Sequence, residues 1–223
     1  MNIKLFFDAI IKLSLGIFLI GALIFIPAGT IYFWNAWLLM GILFIPMFIA
    51  GIIMMLKNPE LLKKRLNIKE KQGKQREVVA LSGLMFLTGF IVAGLNYRYG
   101  LNTLPNIFVI SSSVIFIISY ILYAEVLREN TYLSRVIEVQ ENQKVIDTGL
   151  YSVVRHPMYS ITIIMFLSMP IILGSIYSFL IFLVYPLLIA KRIKNEEEVL
   201  EKELKGYKEY KEKVKYKLIP FIW

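Results

Sequence analysis

The feature that most constrains this chain is a series of long apolar runs. Four of them lie near residues 9–31, 35–56, 78–97 and 106–126. Each run is close to the ~20 residues that a helix needs to cross the hydrocarbon core of a bilayer. A helix satisfies all of its backbone hydrogen bonds within the segment, which a bilayer requires because it offers no water. The sequence therefore predicts an all-α integral membrane protein.

A fifth apolar stretch, residues 158–190, is too long for one membrane span and barely long enough for two. Pro170 and the pair Gly174-Ser175 interrupt it near its middle, and residues of these types break or bend helices. We therefore predict that the stretch forms a tight helical hairpin of two short spans. This brings the expected total to about six transmembrane segments.

A charged segment follows this stretch from Lys191 onward. Leu200, Leu204, Tyr207 and Val214 recur in it at helical spacing, which gives a helix one apolar face. Such a face packs against a membrane surface or against the body of the protein. We predict a C-terminal amphipathic helix on the cytoplasmic side.

Positive charge is distributed unevenly between the predicted spans. If both termini and the loops at 57–77 and 127–157 are cytoplasmic, Arg98 is the only one of the 25 Lys and Arg residues that lies outside. This agrees with the known excess of positive charge in cytoplasmic loops. The net charge of +9 is then explained by anionic lipid rather than by nucleic acid as a partner. Both termini and any site built from these loops are predicted to be cytoplasmic.

The composition argues against several kinds of site. The chain has no cysteine, which excludes disulfides and thiolate metal ligands. It has a single histidine, His156, so we expect no histidine-based metal site. It also has no Gly-rich phosphate loop in a strand-turn-helix context, which argues against a Rossmann nucleotide site.

The single histidine lies in a polar, turn-forming segment immediately before the last apolar stretch. Residues 149–159 read Gly-Leu-Tyr-Ser-Val-Val-Arg-His-Pro-Met-Tyr. Proline is well tolerated at the first position of a helix, so Pro157 predicts a helix start. Free amides of that first turn, near Met158 and Tyr159, suit a carboxylate or a phosphate. These residues alone leave open a ligand site or a membrane-surface loop with an ordinary histidine.

A second charged cluster follows the hairpin. On a helix, Arg192 and Glu196 share a face because they are four residues apart, whereas Glu197 is displaced by about 100°. Taken by themselves, these residues favour a solvated acidic face with one ion pair.

Together, the two segments resemble the isoprenylcysteine carboxyl methyltransferase family, within the wider group that includes phospholipid N-methyltransferases. The resemblance covers about residues 125–223. The first four segments match only as generic membrane helices. The similarity rests on Gly149-Leu-Tyr151, Arg155-His156-Pro157-Met158-Tyr159, the interrupted hairpin, Arg192 with Glu196-Glu197 and Leu200, Tyr207, Tyr210 and a closing Ile219-Pro-Phe221.

The resemblance implies a transferase that uses S-adenosylmethionine, bound on the cytoplasmic side between the Arg-His-Pro segment and the acidic start of the C-terminal helix. Residues 127–223 would then be the cofactor-binding region, and residues 1–126 the four N-terminal spans. Arg192 falls where the family has an arginine that orients the acceptor. The cofactor contacts that the resemblance implies are Gln140, Gln143, Lys144, Val145, Ile146, Tyr151, His156, Pro157, Met158, Tyr159 and Glu197.

This chain departs from the family at two positions. The family often has histidine where the chain has Gln143-Lys144, and Gly-Pro-Tyr is common where the chain has Gly149-Leu-Tyr151. The second change is the milder one, because the glycine and the tyrosine are retained.

The residue types suit methyl transfer. Glu197 can pair with the ammonium of S-adenosylmethionine, and the helix start at Pro157 with His156 can receive its carboxylate. A carboxylate acceptor is already ionised at neutral pH, so it needs alignment rather than a base, and Arg192 can hold it through two hydrogen bonds. An amine acceptor must lose a proton, for which Glu196 is the candidate base.

The leading interpretation is O-methylation of an isoprenylcysteine-type carboxylate on a lipophilic or prenylated small acceptor that enters from membrane lipid. Three alternatives remain: N-methylation of a phospholipid amine, an NADPH-dependent membrane reductase, and a non-enzymatic lipid-binding or scaffold protein. Lys191, Arg192 and Lys194 keep the reductase open, since the 2′-phosphate of NADPH requires basic side chains.

Overall fold

The computed structural model describes residues 3–67, 73–101, 103–134 and 136–223, and these residues form helices and no strand. The predicted all-α class is confirmed. The long segment between α5 and α6 contains a 3₁₀ turn, Gly149–Ser152. The helices are α1 (Ile3–Ala28), α2 (Trp34–Lys57), α3 (Pro59–Leu66), α4 (Gly73–Tyr99), α5 (Asn106–Glu129), α6 (Pro157–Ile172), α7 (Ile176–Phe182), α8 (Tyr185–Glu203) and α9 (Tyr207–Lys213).

Several helical stretches among the described residues are long and apolar enough to cross a membrane. Helix α6 is apolar but has only 16 residues, which corresponds to about 24 Å at ~1.5 Å per residue. In the described ranges there are therefore five stretches long enough to be spans and one shorter apolar helix, where about six spans were predicted. Helices α7 and α8 follow each other closely and count together as one of these five stretches. The five are Ile3–Ala28, Trp34–Lys57, Gln75–Tyr99, Asn106–Glu129 and Ile176–Glu203.

The outward faces of the long helices are apolar. Phe18 is 76% exposed, and Ile26 and Leu56 are each 74% exposed. Large apolar surfaces of this kind are rare on soluble proteins and are normal for helices that contact lipid. The helices are thus those of an integral membrane protein.

The last apolar stretch folds into the predicted hairpin, with its turn at Gly174-Ser175. Gly174 has a φ of +72°, which residues with a side chain rarely adopt. Its carbonyl accepts a hydrogen bond from the Leu104 amide at 3.0 Å, so the turn is tied to the loop before α5. Pro170 lies inside α6, which continues to Ile172. The prediction that Pro170 interrupts the stretch is wrong. Proline removes one backbone hydrogen-bond donor from the helix, whereas the left-handed conformation of Gly174 changes the direction of the chain.

The charged C-terminal segment forms the second half of α8 and the separate short helix α9. Helix α8 begins at Tyr185 in the apolar stretch and runs without a break to Glu203. Gly206, with a φ of +87°, then separates it from α9. The apolar face predicted for this segment packs against the protein body. It forms a buried cluster of Leu204, Tyr207, Tyr210 and Val214, against which Val139, Val145 and Leu200 pack.

The main core lies between α1, α2, α4 and α5 on one side and the hairpin with the start of α8 on the other. Phe33, Phe116 and Phe182 are almost completely buried in it. A Cβ at Gly89 would overlap the Phe182 ring, so this glycine lets α4 approach α7 closely. Small residues at helix crossings are common in membranes, where close backbone contact stabilises packing.

Loops gather at two opposite ends of the bundle. At the first end, the Asn35 side chain donates to the Ile172 carbonyl at 2.9 Å, and Arg98 packs beside Gly29. At the second end, α3, the end of α5, the long segment before α6, the end of α8 and α9 come together. The cytoplasmic location of that end stays a prediction, and residues 68–72 of the predicted loop 57–77 lie outside the described residues.

Candidate active site

The second end of the bundle contains a cavity of about 830 Å³, including its part open to solvent. Its wall is built from the segment between α5 and α6, the 3₁₀ turn, the start of α6, and helices α8 and α9. These elements are far apart in the sequence, so the cavity is a product of tertiary packing.

Most of the residues predicted as site residues line this cavity. Gln140 lies outside the wall and organises its own loop: its amide donates to Gln143 Oε1 at 2.9 Å, and its side chain donates to the Tyr132 carbonyl at 2.6 Å. Pro157 also lies outside the wall, as the first residue of α6. For Gln140, for Pro157 and for the lining residues alike, contact with the cofactor stays a prediction. The lining residues are Gln143, Lys144, Val145, Ile146, Tyr151, His156, Met158, Tyr159, Arg192 and Glu196.

Glu197 lies outside the wall, in a buried cluster of cationic and basic groups. Its Oε1 accepts a hydrogen bond from Arg155 Nε at 2.7 Å and lies 3.2 Å from His156 Nε2. Its Oε2 lies 3.5 Å from Lys217 Nζ. A buried carboxylate with three such partners has its charge balanced within the protein. Its structural role is to join α8 to the start of α6 and to the C-terminal segment.

The C-terminal segment runs beside the start of α6. The Arg155 amide donates to the Tyr216 carbonyl at 2.9 Å, and the His156 amide donates to the Lys217 carbonyl at 3.0 Å. The Tyr159 amide donates to the His156 carbonyl at 3.0 Å. The helix start predicted at Pro157 is confirmed, but the expectation that the Tyr159 amide is free for a ligand is wrong. A tightened first turn uses that amide internally.

Tyr159 links Arg192 to Glu196 at the cavity wall. Its hydroxyl donates to a Glu196 carboxylate oxygen and accepts from Arg192 Nε at 2.8 Å. Arg192 NH1 also lies 3.5 Å from Gln75 Oε1. The predicted shared face of Arg192 and Glu196 is confirmed, since one helical turn brings both to the same cavity. Glu197, about 100° further round α8, meets different partners.

Glu129, at the end of α5, holds the 3₁₀ turn that precedes α6. Its carboxylate accepts hydrogen bonds from the Thr148 hydroxyl at 2.8 Å and from the Leu150 amide at 3.2 Å. Gly149 has a φ of +48°, and a Cβ at this position would collide with the Glu129 carboxylate. Both the backbone conformation and the close approach therefore require glycine here.

This turn positions Tyr151 in the cavity wall. The Tyr151 hydroxyl accepts from Asn130 Nδ2 at 3.1 Å, and its carbonyl accepts from the Tyr210 hydroxyl at 2.7 Å. Burial raises the pKa of Tyr151 and of Tyr210 well above the usual tyrosine value. Both hydroxyls therefore keep their protons at neutral pH.

Helix α3 borders the cavity from the side of the early helices. Arg65 donates to the Tyr123 hydroxyl, and its NH1 lies 3.9 Å from the sulfur of Met158. Lys64 Nζ lies 5.9 Å from the centre of the Tyr132 ring. Met158 and Tyr132 both line the cavity, so α3 helps to position two parts of its wall.

The sequence did not identify several lining residues as site residues. The resemblance included the segment Asn130-Thr-Tyr-Leu-Ser, but it implied a role for no individual residue there, and residues 136–138 carried no such signal. Tyr207 and Tyr210 carried a usable signal, since hydroxyl-bearing rings on the apolar face of a helix need hydrogen-bond partners when they are buried. The lining residues not predicted are Asn130, Tyr132, Leu133, Ser134, Val136, Ile137, Glu138, Arg155, Leu200, Leu204, Tyr207 and Tyr210.

The cavity wall carries both signs of charge. Glu138 and Glu196 contribute carboxylates, while Lys144, Arg155 and Arg192 contribute cations. No group of three or more histidine, aspartate and glutamate side chains that could hold a metal ion occurs in the described part of the chain. A wall of this kind is suited to an organic ligand that is itself zwitterionic.

Residues 107–206 match the family model of phospholipid methyltransferase. The matched region begins in α5 and ends just before α9, so it includes most of the cavity wall. No curated protein matches the chain.

Proposed function

We propose that the protein transfers the methyl group of S-adenosylmethionine to a lipid-like acceptor, because residues 107–206 match the family model of phospholipid methyltransferase. The observation that carries this proposal is the cavity at one end of a bundle of membrane-length helices, most of whose wall lies in the matched region. We propose that this end faces the cytoplasm, in agreement with the charge distribution of the loops.

The residues of the cavity fit the methyl donor. S-adenosylmethionine has an ammonium, a carboxylate, a cationic sulfur and an adenosine, and the wall offers a counterpart to each. Lys144 and His156 are suited to the carboxylate, and Glu196 to the ammonium. Val145 and Leu200 line the cavity, pack against the apolar cluster of α9 and offer a surface for the adenosine.

In this proposal Glu196 takes the role that the sequence suggested for Glu197. Glu196 lines the cavity, and the hydrogen bond from Tyr159 fixes its position. Glu197 acts instead by holding Arg155 and His156, which are themselves lining residues.

We propose an isoprenylcysteine-type carboxylate as the acceptor. When bound, S-adenosylmethionine supplies an electrophilic methyl group on a cationic sulfur. The acceptor oxygen bonds to the methyl carbon as the carbon–sulfur bond breaks, and the electron pair of that bond stays on sulfur. Arg192 holds the acceptor carboxylate and Tyr159 orients Arg192, so the protein contributes alignment and exclusion of water.

N-methylation of a phospholipid amine is the second candidate, and the description of the matching family model favours it. An amine must lose a proton in this reaction, and Glu196 is the carboxylate in the cavity that can take it. The two candidates thus differ in whether Glu196 acts as a base.

Ligand binding by the detergent-purified protein tests the proposal. Titration calorimetry should show binding of S-adenosylmethionine, weakened by Glu196→Gln, and no response to NADPH. A response to NADPH alone would indicate the reductase, and no binding of either ligand by folded protein would favour a lipid-binding or scaffold protein. Turnover with a prenylated cysteine and with phosphatidylethanolamine then identifies the acceptor.

A further inference from the structure

The hydroxyl of Tyr207 is buried in the cavity wall without a hydrogen-bond partner among the described residues. The residue is 4% exposed. Buried hydroxyls are hydrogen-bonded in most proteins, because a donor removed from water without a partner costs free energy. An orphaned hydroxyl on a residue that lines a cavity therefore indicates a missing ligand.

Two other buried side-chain atoms also lack a partner within the described ranges, namely Asn96 Oδ1 and Asn195 Nδ2. Neither residue lines the cavity. Of these three residues, only Tyr207 both has a buried side-chain atom without a hydrogen-bond partner and lines the cavity.

The position of Tyr207 does not depend on its own hydroxyl. Its helix, α9, is held by the bond from the Tyr210 hydroxyl to the Tyr151 carbonyl at 2.7 Å. The chain just beyond α9 is held by Arg155, whose NH1 donates to the carbonyls of Val214 and Lys215 at 2.7 and 2.8 Å. The Tyr207 ring packs in the apolar cluster. Other contacts therefore hold the Tyr207 ring in the cavity wall, and the hydroxyl is not needed for stability.

The charge around Tyr207 defines what its hydroxyl can do. Burial raises the pKa of Tyr207 well above its usual value, and the carboxylates of Glu197 and Glu196 raise it further. The group therefore keeps its proton and is available as a hydrogen-bond donor.

The surroundings of Tyr207 are apolar on one side. Leu204 and Tyr210 are in its cluster, and Val145 and Leu200 pack against that cluster. The basic residues that suit the carboxylate of the donor, Lys144 and His156, belong to the loop before α6 and the start of α6. Pockets for organic ligands are mostly apolar with a few polar groups, so this side of the wall suits the adenosine rather than the charged amino-acid part.

We propose that Tyr207 is a ligand-binding residue whose hydroxyl donates a hydrogen bond to the adenosine part of the methyl donor. This inference rests on the proposed use of S-adenosylmethionine. It adds a binding residue from α9, which lies beyond the end of the family match at residue 206.

The test compares Tyr207→Phe with two matched losses of a tyrosine hydroxyl, Tyr210→Phe and Tyr216→Phe. Thermal unfolding is measured without ligand. Calorimetric Kd values are measured for S-adenosylhomocysteine, which keeps the whole amino-acid part, and for methylthioadenosine, which lacks it.

We expect Tyr207→Phe to unfold at the same temperature as the wild type or higher, because it removes an unsatisfied buried group. Its Kd should rise about five- to twentyfold for both ligands, by the loss of one buried hydrogen bond. Tyr210→Phe should unfold at a lower temperature, since its hydroxyl holds Tyr151. Tyr216, which is outside the wall, should give an unchanged Kd when replaced by Phe.

Four outcomes overturn the inference. An unchanged Kd for Tyr207→Phe, with binding by the wild type, removes the inference and leaves the proposed function intact. A weakened Kd for S-adenosylhomocysteine alone moves the contact to the amino-acid end and contradicts the adenosine assignment. A clearly lower unfolding temperature for Tyr207→Phe shows that the hydroxyl has a structural partner. No binding of either ligand by the wild type removes the proposed function and the inference together.

Discussion

Glu196 and Glu197 are adjacent in the chain and carry the same functional group, yet their surroundings differ completely. Glu196 lines the cavity beside Tyr159, and Glu197 is buried against Arg155, His156 and Lys217. Because successive helical residues point about 100° apart, α8 separates them into a ligand-facing group and a structural one. The chemistry of a residue at this site thus depends on its angular position on α8.

Removing the charge of Glu197 tests its structural role. We expect Glu197→Gln to lower the free energy of unfolding by about 3 kcal/mol, because it leaves buried cations without their counter-charge. Thermal unfolding in detergent measures this loss, and Glu212→Gln, an exposed position, is the matched control. An unchanged unfolding temperature with lost S-adenosylmethionine binding would instead support direct contact between Glu197 and the cofactor.

Steady-state kinetics of an Arg192→Lys variant would measure the contribution of Arg192 to acceptor binding. Arg192→Lys keeps the charge but loses the planar pair of donors that suits a carboxylate. For a carboxylate acceptor we expect the acceptor KM to rise about tenfold, with little change in the Kd of S-adenosylmethionine. Initial rates at varied acceptor concentration measure this. An unchanged acceptor KM would contradict the assignment of Arg192 to the acceptor.

Glu196→Gln separates the two candidate acceptors once turnover is measured. An amine acceptor loses its base, so kcat at saturating donor should fall about a hundredfold or more. A carboxylate acceptor needs no base, so the main effect should be a higher KM for the donor. The kcat and KM values of this variant, at saturating concentrations of the other substrate, decide between the two.

At the scale of elements, the 3₁₀ turn before α6 and the end of α5 are interlocked. The Glu129 carboxylate accepts hydrogen bonds from the turn, and Gly149 lets that carboxylate approach the backbone closely. The turn places Tyr151 in the cavity wall. Tyr151 of the turn packs in a buried apolar cluster with Val126 of α5 and Ile161 of α6, and Leu150 packs against that cluster. The turn is therefore stabilised by apolar packing as well as by hydrogen bonds to α5 and α9.

Gly149→Ala should disrupt this arrangement. An alanine at a φ of +48° costs about 1–2 kcal/mol, and the collision with the Glu129 carboxylate adds to it. We expect a lower unfolding temperature together with weaker S-adenosylmethionine binding, since Tyr151 shifts. Gly83→Ala, in α4 with open space around the position, is the control and should be neutral or stabilising by up to ~1 kcal/mol. Equal behaviour of the two variants would argue against the interlocked turn.

At the scale of the whole molecule, the two ends of the bundle differ in kind. The first end holds short loops and Arg98, and the second holds the cavity, α3, α9 and the C-terminal segment. This asymmetry agrees with a cytoplasmic second end, where a water-soluble methyl donor is available and a lipid-like acceptor is adjacent.

The orientation can be measured directly, because the chain has no cysteine of its own. We expect a cysteine introduced as Leu101→Cys to react with a membrane-impermeant maleimide in intact cells. Glu212→Cys, next to the cavity end, should react only after the cells are made permeable. Labelling of Glu212→Cys in intact cells would reverse the proposed topology.

The sequence by itself determined the helical membrane class, the four N-terminal spans, the hairpin with its turn at Gly174-Ser175 and the helix start at Pro157. These features follow from local properties, namely the length of apolar runs and the backbone preferences of glycine and proline. The sequence also supplied Arg192 and Glu196 as neighbours on one face, because that relation needs only the helical period.

Only the tertiary structure decided which carboxylate of α8 faces the cavity and which residues complete its wall. Glu197 meets Arg155 across 42 residues of chain, and Tyr210 reaches Tyr151 across 59. Asn130, residues 132–134 and 136–138, and Tyr207 join the wall for the same reason. Their places depend on how α5, α8 and α9 pack. Local pattern fixes the face of a helix that a residue occupies, whereas the partner of that face is set by contacts between segments distant in the chain.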